Sequence, residues 1–339
     1  GDIDPIKATN LKLSYSDEEV IHFGLIPRAH RCIFVLNELP DLQPRIQVSL
    51  FSILEEKEIQ IRGFKVRLPL DIQFIFTSNP EDYTNRGSIV TPLKDRIGSQ
   101  ILTHYPESVD IAKTITSQES KLNSETISKI HIPEIARDII EQVSFEARES
   151  ELVDKKSGVS ARMSITSLQN LVSSAERRML INKEEKTSIR MSDFNSVISS
   201  INGKVELVYE GEEEGAEQVS YNLISDAVKT LFTKYFPKIE KLTKPDEISV
   251  YDSILEWFTV NQVVLRDDLS NKDYESILNK VKDAELILNK FIPDIDKKDK
   301  LFFIEFLLWG LESFNKLTIM RTNNGVEFKD PFNNFINKI

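Results

Sequence analysis

The 339-residue chain has one cysteine, four histidines and eleven glycines, and its acidic residues outnumber its basic ones by 54 to 43. A single cysteine excludes an internal disulfide and fits a reducing compartment. Cys32 lies in an apolar run and reads as a small, buried core residue. His22, His30, His104 and His131 are scattered, without the cysteine or carboxylate spacing of a zinc site; His30 and Arg31, which flank an apolar run, read as structural. The formal net charge of -11 argues against nucleic acid as a partner of the chain as a whole, because phosphate binding needs a basic face. The longest apolar stretch, from Leu301 to Leu311, is interrupted by Glu305 and is far shorter than the ~20 residues of a membrane span. No signal-peptide pattern is present, so a soluble cytoplasmic protein is expected. The start at Gly1-Asp2-Ile3-Asp4 predicts a coding sequence that begins further upstream.

Charged residues make up 29% and hydrophobic residues 40%, and the length suits two or three domains. Up to about Pro106, short apolar runs alternate with helical patterns, as in an α/β domain. Ile33 to Leu36 is wholly apolar, which predicts a central strand buried on both faces. Pro40 and Asp41 then open a helix whose apolar positions are Ile46, Leu50, Ile53 and Leu54. Glu58 to Leu68 alternates as a hairpin with its turn near Arg62-Gly63, and Phe74 to Phe76 is a second buried strand.

From Val109 to Ile201 the pattern is helical, with one stripe from Ile165 through Leu168, Leu171, Val172 and Ala175 to Met179. A second stripe holds Phe194, Val197, Ile198 and Ile201, with Ser192 as a candidate N-cap. Tyr209 to Glu217 is acidic and glycine-containing and reads as a solvated linker or exposed turn. Beyond it the spacing is helical again, with Ile224, Val228, Leu231 and Tyr235 on one face and Leu301, Ile304, Leu308 and Leu311 on another. Trp257 and Trp309 read as core. The expected division is an α/β core over 1–107, a helical lid over 108–203, an acidic linker over 204–218 and a helical domain over 219–339.

Two polar residues that follow a short apolar strand lie at the carboxyl edge of the sheet, where open α/β sheets bind ligands. Cys32 to Glu38 reads C-I-F-V-L-N-E, and Phe74 to Pro80 reads F-I-F-T-S-N-P. At that edge Glu38 can orient and deprotonate an attacking water. Asn79 can hold the same water or a terminal phosphate, and in phosphoryl transfer such positioning is nearly the whole of catalysis.

The ordered set G-L-I-P-R-A-H-R-C-I-F-V-L-N-E-L, S-N-P-E-D-Y and P-L-K-D-R-I resembles the AAA+ ATPase subunit of magnesium chelatase and its MoxR-like relatives. The resemblance covers roughly Gly1 to Ile201 and is strongest from Gly24 to Ile97. It implies a P-loop-NTPase-type parallel sheet with a helical lid, ATP and Mg²⁺ as ligands, a homo-oligomeric ring, and a partner protein with an integrin-like, metal-binding domain. It also implies that Glu38 is the Walker B glutamate, Asn79 the sensor 1 asparagine, Arg96 the arginine finger and Arg162 the sensor 2 arginine. A finger arginine is worth ~10³ or more in rate, because its planar fork neutralises charge on the transferred phosphoryl. The hairpin from Glu58 to Leu68 matches the one that precedes sensor 1 in this clade. The G-A-F-T-G-A loop of transcription-activating AAA+ relatives is not present.

Two departures stand out. Asn37 replaces an aspartate that helps to hold Mg²⁺ in the family; an amide is a neutral and poorer ligand, so Asn37 and Glu38 would bind the metal weakly. The phosphate loop G-x-x-x-x-G-K-[ST] is missing, and the one Gly-Lys pair, Gly203-Lys204, lies beyond the lid and precedes Val205. Without the loop's backbone N–H groups and lysine, this chain alone is expected to hydrolyse ATP poorly or not at all. It is expected to be the C-terminal portion of a longer AAA+ ATPase that remodels a partner protein. The alternative is a non-catalytic assembly module that has lost nucleotide binding.

Overall fold

In the computed structural model, which describes residues 1–61, 64, 67–79, 88–239, 249–322 and 324–331, the chain divides into two units, Gly1–Thr103 and His104–Ile339. The first unit runs β1 (Asp2–Ile3), α1 (Pro5–Leu11), β2 (Ile21–His22), α2 (Leu25–Arg28), β3 (Ile33–Leu36), α3 (Pro44–Ser49), α4 (Phe51–Glu56), β4 (Glu58–Gln60), β5 (Arg67–Pro69), β6 (Gln73–Phe76) and α5 (Thr91–Asp95). Asp4 starts α1 by accepting from the N–H groups of Ile6 and Lys7, with Pro5 in the first turn, where its missing N–H costs nothing.

β3 and β6 pair in parallel, with Ile33 opposite Gln73 and Leu36 opposite Phe76. Because side chains alternate along a strand, one face of this pair carries Leu36, Phe74 and Phe76 onto a cluster of Leu39, Leu50, Ile53, Leu70 and Leu93. The other face is open: Ile33 is 64% exposed, Val35 56% and Ile75 44%. Strands that read as buried on both faces are thus covered on one, and Cys32, expected in the core, is exposed.

The helix expected after Pro40 comes in pieces. Leu39–Asp41 is a single 3-10 turn, Pro44 opens α3, and a 3-10 step at Leu50 (its N–H bonds the Gln47 carbonyl at 3.1 Å) separates α3 from α4. Leu50 and Ile53 are buried as their spacing predicts, whereas Ile46 is exposed. The expected hairpin is present as the antiparallel pair β4–β5; its turn at Arg62-Gly63 lies outside the described residues.

The second unit contains α6 (Val109–Glu119), α7 (Ser124–Lys129), β7 (Ile130–His131), α8 (Glu134–Glu149), α9 (Arg162–Ile181), β8 (Thr187–Ser188), α10 (Ile198–Asn202), α11 (Tyr209–Glu214), α12 (Ala216–Tyr235) and α13 (Asp252–Phe258). It continues through β9 (Val263–Arg266), α14 (Asn271–Leu278), α15 (Ala284–Phe291), α16 (Lys300–Ser313), β10 (Thr318–Thr322) and β11 (Gly325–Lys329). One continuous hydrophobic core runs through this unit from Ile130 to Phe328. Residues 108–203 and 219–339 therefore share a core, and the packing draws no line between a lid and a further helical domain. The acidic stretch expected as a linker is helical, α11, and Gly215 at φ 95° turns directly into α12. The region beyond it is not wholly helical either, because β10, β11 and β9 form an antiparallel sheet.

α16 is apolar all round and correspondingly buried from Phe302 to Leu311. At Gly310 a Cβ would stand 2.0 Å from Phe232 Cδ2, so the absent side chain is what lets α12 lie against α16. Glu305 is the one charged residue inside this stretch. Its Oε2 accepts from Tyr274 Oη at 2.5 Å and from the Met191 N–H at 3.0 Å, while Oε1 has no partner. Nearby, Arg178 and Asp193 form a buried ion pair, and Arg190 lies 4.1 Å from the centre of the Tyr274 ring. Burial pushes the Glu305 carboxyl up to about 7, with the Asp193 charge acting in the same direction and the Tyr274 hydrogen bond and Arg190 opposing it. Among the described residues no helix is long and apolar enough to cross a membrane.

Candidate functional site

The parallel register of β3 and β6 brings the two polar tips, Asn37-Glu38 and Thr77-Ser78-Asn79, to the same edge of one strand pair. Backbone bonds extend the pairing past the strands: the Thr77 N–H donates to the Leu36 carbonyl at 3.0 Å and the Leu39 N–H to the Thr77 carbonyl at 2.9 Å. Glu38, Asn37 and Asn79 are all exposed there. Apolar residues hold the strand bodies on the Leu39 cluster, and the polar residues that follow lie exposed at its edge.

Glu38 adopts φ 53° and ψ 58°, the left-handed region, which costs a β-carbon residue ~1 kcal/mol or more. Thr77 holds it there. Its Oγ1 accepts from the Glu38 N–H at 3.0 Å and donates to Asn37 Oδ1 at 2.5 Å. One hydroxyl thus joins both residues of the β3 tip to the β6 tip. Thr77 was not singled out in the sequence; the signal was there, a hydroxyl residue placed between an apolar strand and the candidate asparagine.

The same hydrogen bond bears on the metal. The Asn37 oxygen expected to face Mg²⁺ is already an acceptor, which leaves Glu38 as the one exposed carboxylate of the pair. Among the described residues no three His, Cys, Asp or Glu side chains converge in a way that could hold a metal ion. A neutral, occupied amide beside one carboxylate does not make a Mg²⁺ site on its own.

Arg96 follows α5. Its Nε and Nη2 donate to Glu55 Oε2 at 2.8 and 2.5 Å and its Nη1 to the Pro92 carbonyl at 2.8 Å. The guanidinium carbon lies 5.0 Å from the centre of the Phe51 ring. The arginine expected to reach a neighbouring subunit is thus held here by α4 of its own chain. Arg162 belongs to the second unit, where it is the exposed first residue of α9. His30 is structural, as its position suggested, since its Nδ1 accepts from the Asp71 N–H at 3.1 Å beside the start of β3.

Residues 11–98 match the family model of the sigma-54 interaction domain, an AAA+-type domain. No curated protein matches the chain. Among solved structures the chain is similar to an inferred ATPase from Cytophaga hutchinsonii ATCC 33406, with 20% identity over 57% of this chain and 64% of that one and a TM-score of 0.23. It is also similar to NtrX from Brucella abortus, solved in complex with ADP, with 14% identity over 92% of this chain and 55% of that one and a TM-score of 0.28. The chain spans less than two thirds of the length of either protein. The family match supports an AAA+ ATPase-type domain in the first unit; the matched model is that of the sigma-54 interaction domain and not of a magnesium chelatase subunit.

Proposed function

We propose that the protein is a nucleotide-driven motor in which the β3–β6 edge of the first unit handles the attacking water of ATP hydrolysis. One observation carries this reading: two parallel strands in register end in a carboxylate and an amide at one edge, and the carboxylate residue is held in a strained conformation by a hydrogen bond from its backbone to the other strand. Strain of this kind marks functional positions when the surroundings enforce it. Glu38 orients the water and takes its proton, and Asn79 holds the water or the terminal phosphoryl oxygen by its amide. Asn37 acts through Thr77 as a support of the Glu38 backbone. A metal that accompanies ATP would offset phosphate charge, and Glu38 is the carboxylate of this edge that could approach it.

Arg96 supplies the charge that stabilises the transferred phosphoryl in a neighbouring subunit of a ring, and Arg162 acts on the subunit's own nucleotide. The Glu55–Arg96 pair does not oppose this role. Glu55 is 61% exposed and Arg96 half-buried, and a pair with one partner in solvent contributes ~1 kcal/mol, less than a phosphoryl group offers a guanidinium. We further propose a chelatase-like rather than transcription-activating clade, on the motif set from Gly24 to Ile97 and the absence of a G-A-F-T-G-A loop. Such a motor would remodel a partner with an integrin-like, metal-binding domain.

A second reading has an observation of its own. The 339 residues carry no G-x-x-x-x-G-K-[ST] loop, and a protein that lacks one altogether would be an assembly module without turnover. ATP hydrolysis by the full-length protein separates the two. Under the motor reading Glu38→Gln abolishes turnover and leaves nucleotide affinity within about threefold, because the amide keeps the size but cannot accept the proton. Turnover that persists in Glu38→Gln, or is absent from the unmodified protein, rejects the motor reading.

A further inference from the structure

Among the described residues of the first unit, Gln47 on α3 is the one fully buried polar residue that the site above does not use, at 0% exposure. Its amide is spent on backbone. Nε2 donates to the Leu42 carbonyl at 2.8 Å and to the Ser88 carbonyl at 3.1 Å, and Oε1 accepts from the Val90 N–H at 2.9 Å. The orientation of the amide is set by these partners, since two carbonyls need donors and an N–H needs an acceptor.

The two segments it joins both lead to site residues. Leu42 ends the turn that begins at Glu38, with its N–H on the Leu39 carbonyl at 3.2 Å. Val90 is the N-cap of α5, and its carbonyl receives the N–H groups of Leu93 and Lys94 at 2.9 and 3.2 Å. α5 leads directly to Arg96, whose N–H closes the helix on the Leu93 carbonyl at 3.0 Å. Among the described residues no strand pairing links residues 88–90 to the Glu38 turn. Beside the shared apolar packing of Leu39, Leu42, Ile89 and Val90, the Gln47 side chain supplies a hydrogen-bonded link.

We propose that Gln47 is a positioning residue that fixes the start of α5 against the Glu38 turn and so places Arg96 for the neighbouring subunit. This rests on the finger role of Arg96 proposed above. An arginine acting across an interface is sensitive to placement, and a displacement near 1 Å costs on the order of 100-fold in rate.

The test is steady-state ATP hydrolysis by the full-length protein. Gln47→Met keeps the length and apolar bulk of the side chain and removes all three bonds. It is expected to lower kcat by about 10- to 100-fold with KM for ATP unchanged. Mixing Gln47→Met with Glu38→Gln subunits should restore turnover, because the Glu38→Gln subunit offers an intact finger to the intact base of its neighbour. A folding defect would not be rescued in this way. Arg96→Ala mixed with Glu38→Gln is the control. If that control is restored and the Gln47→Met mixture is not, or if Gln47→Met alone turns over normally, the positioning role is wrong. If the control is not restored, the trans finger is wrong and the role of Gln47 falls with it. Should Gln47→Met fail to fold, Gln47→Glu gives the answer by pH. An ionised carboxylate would face two carbonyls, whereas its protonated form regains one donor, so turnover relative to the unmodified protein should rise as pH falls. A flat ratio overturns the proposal.

Discussion

Replacing Glu305 by glutamine should stabilise the second unit at alkaline pH and do far less in acid. Glu305 is fully buried in α16, with one oxygen bonded to Tyr274 and Met191 and the other without a partner. Its carboxyl is raised from the ordinary 4.5 to about 7, chiefly by burial. A carboxyl whose folded pKa lies above its unfolded value holds its proton more tightly in the folded state. Ionising it therefore costs stability: the cost is absent below about pH 4.5, grows through the interval and is complete above about pH 7. A rise from 4.5 to about 7 corresponds to ~3 kcal/mol. Asp193, Arg190 and Tyr274 act on the Glu305 charge, and their effects are already contained in the raised value. The glutamine amide places an unpartnered donor where Oε1 stood, a cost of ~1 kcal/mol or more that does not depend on pH. The readout is therefore the difference between two pH values. Urea unfolding followed by tryptophan fluorescence reports on the second unit, because both tryptophans, Trp257 and Trp309, lie in it. Between pH 5 and pH 8 the stability of Glu305→Gln relative to the unmodified protein should rise by ~2–3 kcal/mol. An identical effect at both pH values, or a shift of opposite sign, would refute the assignment of a buried, raised carboxyl.

Thr77→Val removes the donor to Asn37 and the acceptor of the Glu38 N–H. It should cost ~1–2 kcal/mol in the first unit by urea unfolding followed by circular dichroism and lower ATP turnover, whereas Thr77→Ser should retain both. Gly310→Ala forces a methyl group to within 2.0 Å of Phe232 and should destabilise the second unit by ~1–3 kcal/mol in the tryptophan-monitored transition; an unchanged midpoint would mean that α12 and α16 are not packed this closely. Glu55→Ala breaks the ion pair to Arg96 but should change stability by less than ~1 kcal/mol, since Glu55 is 61% exposed.

Much of the site region could be read from the sequence, because strand tips follow from apolar runs and their order. The strands Ile33–Leu36 and Gln73–Phe76 are adjacent and parallel, as the alternation of apolar runs and helical patterns suggested. The cover of those strands was not readable. A run such as I-F-V-L is apolar on both faces whether or not both faces have partners, so the exposure of Ile33, Val35 and Cys32 leaves no mark in it. The acidic stretch at Tyr209 misled for a different reason. Charge and two glycines suggest a loop, yet glutamate is a good helix former, and Gly211 packs against the Leu152 backbone, where a Cβ would come within 2.6 Å of the carbonyl oxygen. The β9–β11 sheet was missed because V-V-L-R, T-I-M-R-T and G-V-E-F-K are short segments set among long helical stripes. Thr77 and Gln47 act through backbone partners distant in sequence, at separations of 39 to 43 residues for Glu38, Ser88 and Val90, and spacing rules are blind to such bonds.

The most direct test is a crystal structure of the full-length protein with a non-hydrolysable ATP analogue. The account predicts the Glu38 carboxylate and the Asn79 amide on one side of the β3–β6 edge, both within about 3–4 Å of a single water or of the terminal phosphoryl group. Nucleotide bound elsewhere, or Glu38 and Asn79 facing opposite sides of that edge, would contradict it.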